Sequence, residues 1–252
     1  MLPEYIPKDL TLAGAKSLEK WEKEVLEAFN RSKTIAESPP KIVAKEDIVM
    51  FAQYNWPMMF SRFFECVRIS GPQLPTNNII IAVNWTGVFF VNEQEIVLVE
   101  IAFAEILSIV YEKNDDDEID SFVLNTVRRE DFVFKSYDSD GICRLVNYIL
   151  KEMKRRSLYA VAVQNYSNTE NSEQYLKLTK GDLIILDSMN IGEIVLASET
   201  TWAVGECNGK HGSFPTDIVY VLPCILQPPH QNVLKSFKVL IFSFLLTYFA
   251  IY

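Results

Sequence analysis

The sequence predicts a multidomain chain, mainly β with helices: a partial helical lobe, then a β-sandwich closed by a C-terminal helix, then a small β-barrel. Residues 59–136 alternate apolar and polar with period two in six or seven short runs. Residues 139–156 then revert to helical period, with Ile142, Leu145, Val146, Ile149, Leu150 and Met153 on one stripe. Finally, residues 175–221 set short apolar runs between the turns Lys180-Gly181-Asp182, His211-Gly212 and Phe214-Pro215-Thr216-Asp217. The boundaries that follow are 1–55 for the incomplete helical part, 56–156 for the sandwich and helix, 157–223 for the barrel, and 224–252 for a linker and hydrophobic tail.

Residues 11–29 read as an amphipathic helix, with Leu18, Trp21, Val25, Leu26 and Phe29 on one face and Glu19, Lys20, Lys23, Glu24 and Glu27 largely opposite. It stops before Ser38-Pro39-Pro40. A second helix over about 43–54 ends at Trp56-Pro57. Two helices alone bury too little to fold, so the first part of their domain is expected to be missing. Runs 79–83 and 88–91 flank Asn84-Trp85-Thr86-Gly87, which carries the polar and glycine residues of a hairpin turn. Runs 96–102, 106–111, 122–127 and 132–135 complete the sandwich, and the single apolar face of 139–156 plugs its open end.

Composition narrows the function. The formal net charge of -9 and the lack of a basic stripe argue against nucleic acid. Cys66, Cys143, Cys207 and Cys224 form no CxxC pair, which removes zinc-ribbon and thioredoxin readings and points to reduced thiols in the cytosol. The start Met1-Leu2-Pro3-Glu4 carries no secretory signal. No G-x-x-x-x-G-K-S/T loop is present, so the chain carries no nucleotide hydrolysis of that kind, and no nucleophile, base and orienting group stand at usable spacing. Asp115-Asp116-Asp117-Glu118 lacks the alternation and turn glycine of a calcium loop and reads as a solvated connection. His211 and His230 have no ligand pattern around them, so no cofactor or metal is expected.

The segments Trp56-Pro57-Met58-Met59-Phe60-Ser61-Arg62-Phe63-Phe64-Glu65, Ser70-Gly71-Pro72-Gln73-Leu74-Pro75 and Ile81-Ala82-Val83-Asn84-Trp85-Thr86-Gly87-Val88-Phe89-Phe90-Val91 resemble the third, PH/PTB-like lobe of a FERM domain. More narrowly, they resemble the first FERM domain in the tails of class VII unconventional myosins. Lys180-Gly181-Asp182-Leu183-Ile184-Ile185-Leu186-Asp187, Phe214-Pro215-Thr216-Asp217 and Val219-Tyr220-Val221 resemble the SH3 barrel that follows it there. The match covers roughly residues 1–230, with residues 1–55 similar to the end of the helical second lobe. The resemblance implies a non-catalytic fragment that works by contact: part of an actin-based motor's tail, binding scaffold or adhesion-complex proteins in microvilli or stereocilia. It also implies intramolecular packing of the SH3 barrel on the FERM lobe.

The resemblance also nominates residues. In the SH3 groove, Tyr166, Trp202 and Pro215 stand at aromatic and proline positions, while Gln164 and Ile218 replace two tyrosines. Each lost ring removes stacking or a hydrogen bond of about 1 kcal/mol, so proline-rich recognition is expected to be weak. Glu170 and Glu173 occupy the loop that meets a ligand's arginine. In the FERM lobe, a groove between the fifth strand and the terminal helix takes an extended peptide. Phe132-Val133-Phe134 are read as its edge or a neighbour of it, with Ile142, Leu145 and Ile149 on the helix side, beside the alternative that all are core. Lys151, Lys154, Arg155 and Arg156 complement the helix dipole and leave a phosphoinositide contact open. The apolar residues 239–252 would span about 21 Å as a helix, short of the ~30 Å of a bilayer core. They are read as a departure from the family, against the alternative of a membrane-linked adaptor anchored by its C-terminus.

Overall fold

The computed structural model describes residues 17–31, 41–113, 118–168, 174–188, 191–197, 201–226, 234, 236 and 237. The chain divides into two compact units, residues 1–60 and 61–252.

The first unit contains helices α1 (Leu18–Arg31) and α2 (Lys41–Asn55) and a 3-10 turn at Pro57–Phe60. None of its described side chains is buried, and Leu26, Phe29, Ile48, Phe51 and Tyr54 are all exposed. Among the described residues, the apolar stripe of α1 (Val25, Leu26, Phe29) is exposed.

The second unit begins with a seven-stranded antiparallel sheet. Its strands are β1 (Arg62–Ser70), β2 (Asn78–Val83), β3 (Gly87–Val91), β4 (Val97–Ala102), β5 (Ile106–Glu112), β6 (Ser121–Thr126) and β7 (Asp131–Lys135), in the spatial order β4-β3-β2-β1-β7-β6-β5. The β2-β3 hairpin forms where its turn residues predict it. Asn84 Oδ1 accepts from the Thr86 amide (2.8 Å) and hydroxyl (2.6 Å), a local bond that competes with further ladder pairing and turns the chain. Phe90 lies edge-on to both Phe132 and Phe134, with ring centroids 5.0 Å away in each pair, and these rings anchor the core.

Helix α3 (Ser139–Arg156) buries Ile142, Val146 and Leu150 against that core, with Leu145, Ile149 and Met153 partly buried beside them. Its start is tied down by Ser139, whose hydroxyl lies 2.8 Å from both the Asp120 and the Ser136 carbonyls.

Only Ser157 and Leu158 separate α3 from the barrel. The barrel comprises β8 (Tyr159–Ala162), β9 (Leu183–Leu186), α4 (Gly192–Val195), β10 (Trp202–Cys207), β11 (Lys210–Pro215) and β12 (Val219–Val221), with strand order β11-β10-β9-β8-β12. Gly181 has φ +87°, a conformation glycine adopts without steric cost, and its amide donates to the Ala162 carbonyl at 2.7 Å. The barrel core includes Ala160, Leu176, Leu178, Ile184, Leu186, Ala203 and Phe214.

A further apolar cluster joins sandwich and barrel. Ala104 and Val127 of the sandwich meet Val161, Val163, Tyr220 and Leu222 of the barrel, together with Leu234 and Phe237 from beyond it. The 224–252 region was expected to be linker and tail, yet these two of its side chains are buried. Among the described residues, no helix is long and apolar enough to cross a membrane. Residues 239–252 lie outside the described residues.

Candidate functional site

Three surfaces carry the residues that the sequence nominates. The first is the barrel groove. Strand pairing sets Trp202 opposite Pro215, and the Trp202 ring lies 6.3 Å from that of Tyr166. Trp202 remains 46% exposed. The structure thus brings Tyr166, Trp202 and Pro215 together, and it adds Tyr175, whose ring is 5.1 Å from Trp202. Sequence reasoning missed Tyr175. Its signal was available, because Leu176 and Leu178 point into the core and leave Tyr175 and Lys177 on the outward face of that segment. Backbone bonds fix the segment: the Leu176 amide donates to the Ser213 carbonyl and the Ser213 amide to that of Gln174, both at 2.9 Å. Ile218, in the place of a groove tyrosine, is buried among core side chains. Glu170 and Glu173 lie outside the described residues.

The second surface is the sheet edge beside α3. Phe132 and Phe134 do not line it, which corrects the reading of β7 as an edge or its neighbour. Strand β7 pairs with β1 on one side and β6 on the other, and both phenylalanines are buried against Phe90. Period-two alternation identifies which side chains face inward; it carries no information about which strand ends the sheet. Ile142 is likewise core, whereas Leu145 and Ile149 are only partly buried. The strand that ends the sheet next to α3 is β5. There Asn147 of α3 donates its amide to the Ile109 carbonyl at 3.2 Å, and Tyr111 donates to Asp120 Oδ2 at 2.6 Å. That bond to Asp120, more than burial, pushes the Tyr111 phenol up to about 12.

The third surface is the joint between sandwich and barrel. Gly192 donates its amide to the Ser157 carbonyl at 2.8 Å, and a Cβ at Gly192 would overlap the Lys154 carbonyl oxygen. Arg155 bonds Glu193 of α4 at 2.6 Å and Glu152 at 3.0 Å, and these two acceptors raise its already high affinity for the proton. Arg156 pairs with Glu152 at 3.5 Å. Lys154 Nζ stands 4.5 Å from the centre of the Tyr220 ring. Lys154 and Arg155 of the basic end of α3 thus meet the barrel, while Lys151 and Arg156 remain exposed. On the sandwich side, buried Glu105 accepts from the Ala102 amide at 3.2 Å and pairs with Arg128, which stiffens the turn bearing Ala104.

All four cysteines are free. Burial pushes the Cys66 and Cys143 thiols up to about 12 and those of Cys207 and Cys224 up to about 11. Among the described residues, no three His, Cys, Asp or Glu side chains gather as metal ligands.

Comparison with known proteins accounts for this pairing of modules. A family described as Myosin-X FERM PH domain-like matches residues 60–156, and one described as Variant SH3 domain matches residues 159–222. Myosin-VIIa of Drosophila melanogaster is 43% identical over 242 residues, 95% of this chain and 11% of that protein. The chain belongs to the tail region of the class VII unconventional myosins. Unconventional myosin heavy chain 6 of Caenorhabditis elegans is 35% identical over 94% of the chain, and unconventional myosin-VIIb of Mus musculus 33% over 92%. The chain spans about 11% of the length of each of these three relatives. Within this stretch of a myosin VII tail, both matched modules are protein-interaction domains and neither is catalytic.

Proposed function

We propose that this part of a myosin VII tail is a cytoplasmic, cytoskeleton-associated cargo platform of an actin-based motor. The FERM lobe takes an extended segment of a scaffold or adhesion-complex protein, and the SH3 barrel braces the lobe. The observation that supports this most directly is the position of β5 as the sheet's last strand beside α3. An edge strand offers backbone N–H and C=O groups to an incoming strand, and partly buried Leu145 and Ile149 supply an apolar rim on the helix. Lys154 and Arg155 meet barrel partners, which favours the brace over a lipid-headgroup contact, while Arg156 stays largely exposed.

Hydrogen exchange during titration with cytoplasmic segments of adhesion and scaffold proteins tests the reading. Slowed exchange at amides 106–112 is the expected result. Slowing confined to the surroundings of Trp202, or co-sedimentation of the chain with anionic vesicles, would contradict it.

A further inference from the structure

We propose that Leu234 and Phe237 form a docked latch, a short arm beyond the barrel that seats in the crevice between sandwich and barrel and fixes one to the other. Residues three apart share a face of a helical turn, and residues 234, 236 and 237 are helical. Both latch side chains are buried, Phe237 completely. The crevice has walls from two modules: Ala104 and Val127 on the sandwich, and Val161, Val163, Tyr220 and Leu222 on the barrel. On the sandwich side Leu107 is also partly buried against this cluster, and the arm adds Leu234 and Phe237 to it. Phe237 supplies an aromatic ring 5.4 Å from that of Tyr220, which also meets Lys154.

Leu234 and Phe237 belong to neither the sandwich core nor the barrel core but to the cluster between them. The arm is therefore an intramolecular ligand, held by high effective concentration and able to leave while both cores stay folded. Its release bares Tyr220, Val127 and Leu222 and loosens the barrel on the lobe, leaving the Gly192–Ser157 and Arg155–Glu193 bonds in place. This inference deepens the reading of the barrel as a brace.

The test is region-resolved hydrogen exchange on the whole chain carrying Phe237→Ala, with Phe237→Leu as a milder companion that keeps most of the apolar volume. Exchange is expected to quicken about 100-fold at β8, β12 and the turn around Val127, while β2 and β3 exchange as in the parent. Phe237→Leu should give the same pattern with smaller amplitude. Uniform acceleration in every strand would make Phe237 an ordinary part of one cooperative core, and no acceleration would make the arm idle; either overturns the latch. If the regional pattern appears while partner affinity at β5 is unchanged, the latch stands and the brace reading falls.

Discussion

The barrel presents two aromatic surfaces with opposite fates. On the joint side, Tyr220 is buried between Lys154 and Phe237 and helps hold Val127 of the lobe against Val161 and Leu222. On the groove side, Tyr166, Tyr175 and Trp202 cluster just as closely, yet Trp202 stays nearly half exposed. Both are ring clusters; the joint's is buried, whereas the groove's is only partly so. Hydrophobic stabilisation scales with apolar area removed from water, so the joint contributes to holding the fold together and the groove contributes far less. A groove that stabilises little tolerates substitution, as at Gln164, where the resemblance places a tyrosine.

The sharpest way to break this contrast is Tyr220→Ala. Truncating a buried aromatic typically costs about 3–5 kcal/mol, and here the cavity opens at the joint and removes the partner of both Lys154 and Phe237. The urea midpoint of the whole chain should fall accordingly. A midpoint like the parent's would mean that the joint is ornamental and that the two surfaces do not differ.

The contrast also explains what was legible in the sequence. Helix α3 was readable to the residue because its stripe is a local, periodic property, and the β2-β3 hairpin because Asn84 and Gly87 carry their turn chemistry with them. Tyr166, Trp202 and Pro215 were nominated by the SH3 resemblance, and the structure brings them together. The joint was expected only as packing of one domain on another. Its residues are invisible to periodicity, since Ala104, Val127 and Phe237 come from separate segments and meet only after both cores exist. The choice between edge and core left open for Phe132 and Phe134 has the same root: which strand lies outermost depends on the β1-β7 pairing, a contact between residues more than sixty positions apart.

Alkaline pH sharpens the comparison less forcefully. Cys66 and Cys143 sit in the lobe core, Cys207 in the barrel core and Cys224 against the joint, and none lies in the groove. Burial raises each thiol from 9.0 in an ordinary setting to about 11 or 12 in the fold. Below pH 9 the thiols are protonated whether the chain is folded or unfolded, and their contribution to stability is fully present. As pH rises from 9 towards 11 and 12, the unfolded chain ionises first and that contribution is lost. Urea midpoints measured across this range should therefore decline steadily, and substituting the four cysteines by serine or alanine should flatten the decline. A slope indifferent to the cysteines would place the alkaline transition elsewhere.

The smallest expected effect is the most discriminating. Trp202→Ala removes the largest ring of the groove, the residue whose loss would be ruinous if the aromatic cluster were core. Because the ring is nearly half exposed, and because strand pairing of Trp202 with Pro215 uses the backbone, the substitution should change stability by no more than about 0.5 kcal/mol. Affinity for a partner bound at β5 should be untouched as well, since β5 belongs to a different sheet from the groove strand β10. A clear fall in melting temperature would show Trp202 bracing the barrel through Tyr166 and Tyr175, so that groove and joint belong to one structural unit. A fall in partner affinity with stability intact would instead make the groove part of the recognition surface, and would restore to this barrel the peptide-reading role that its substitutions argue against.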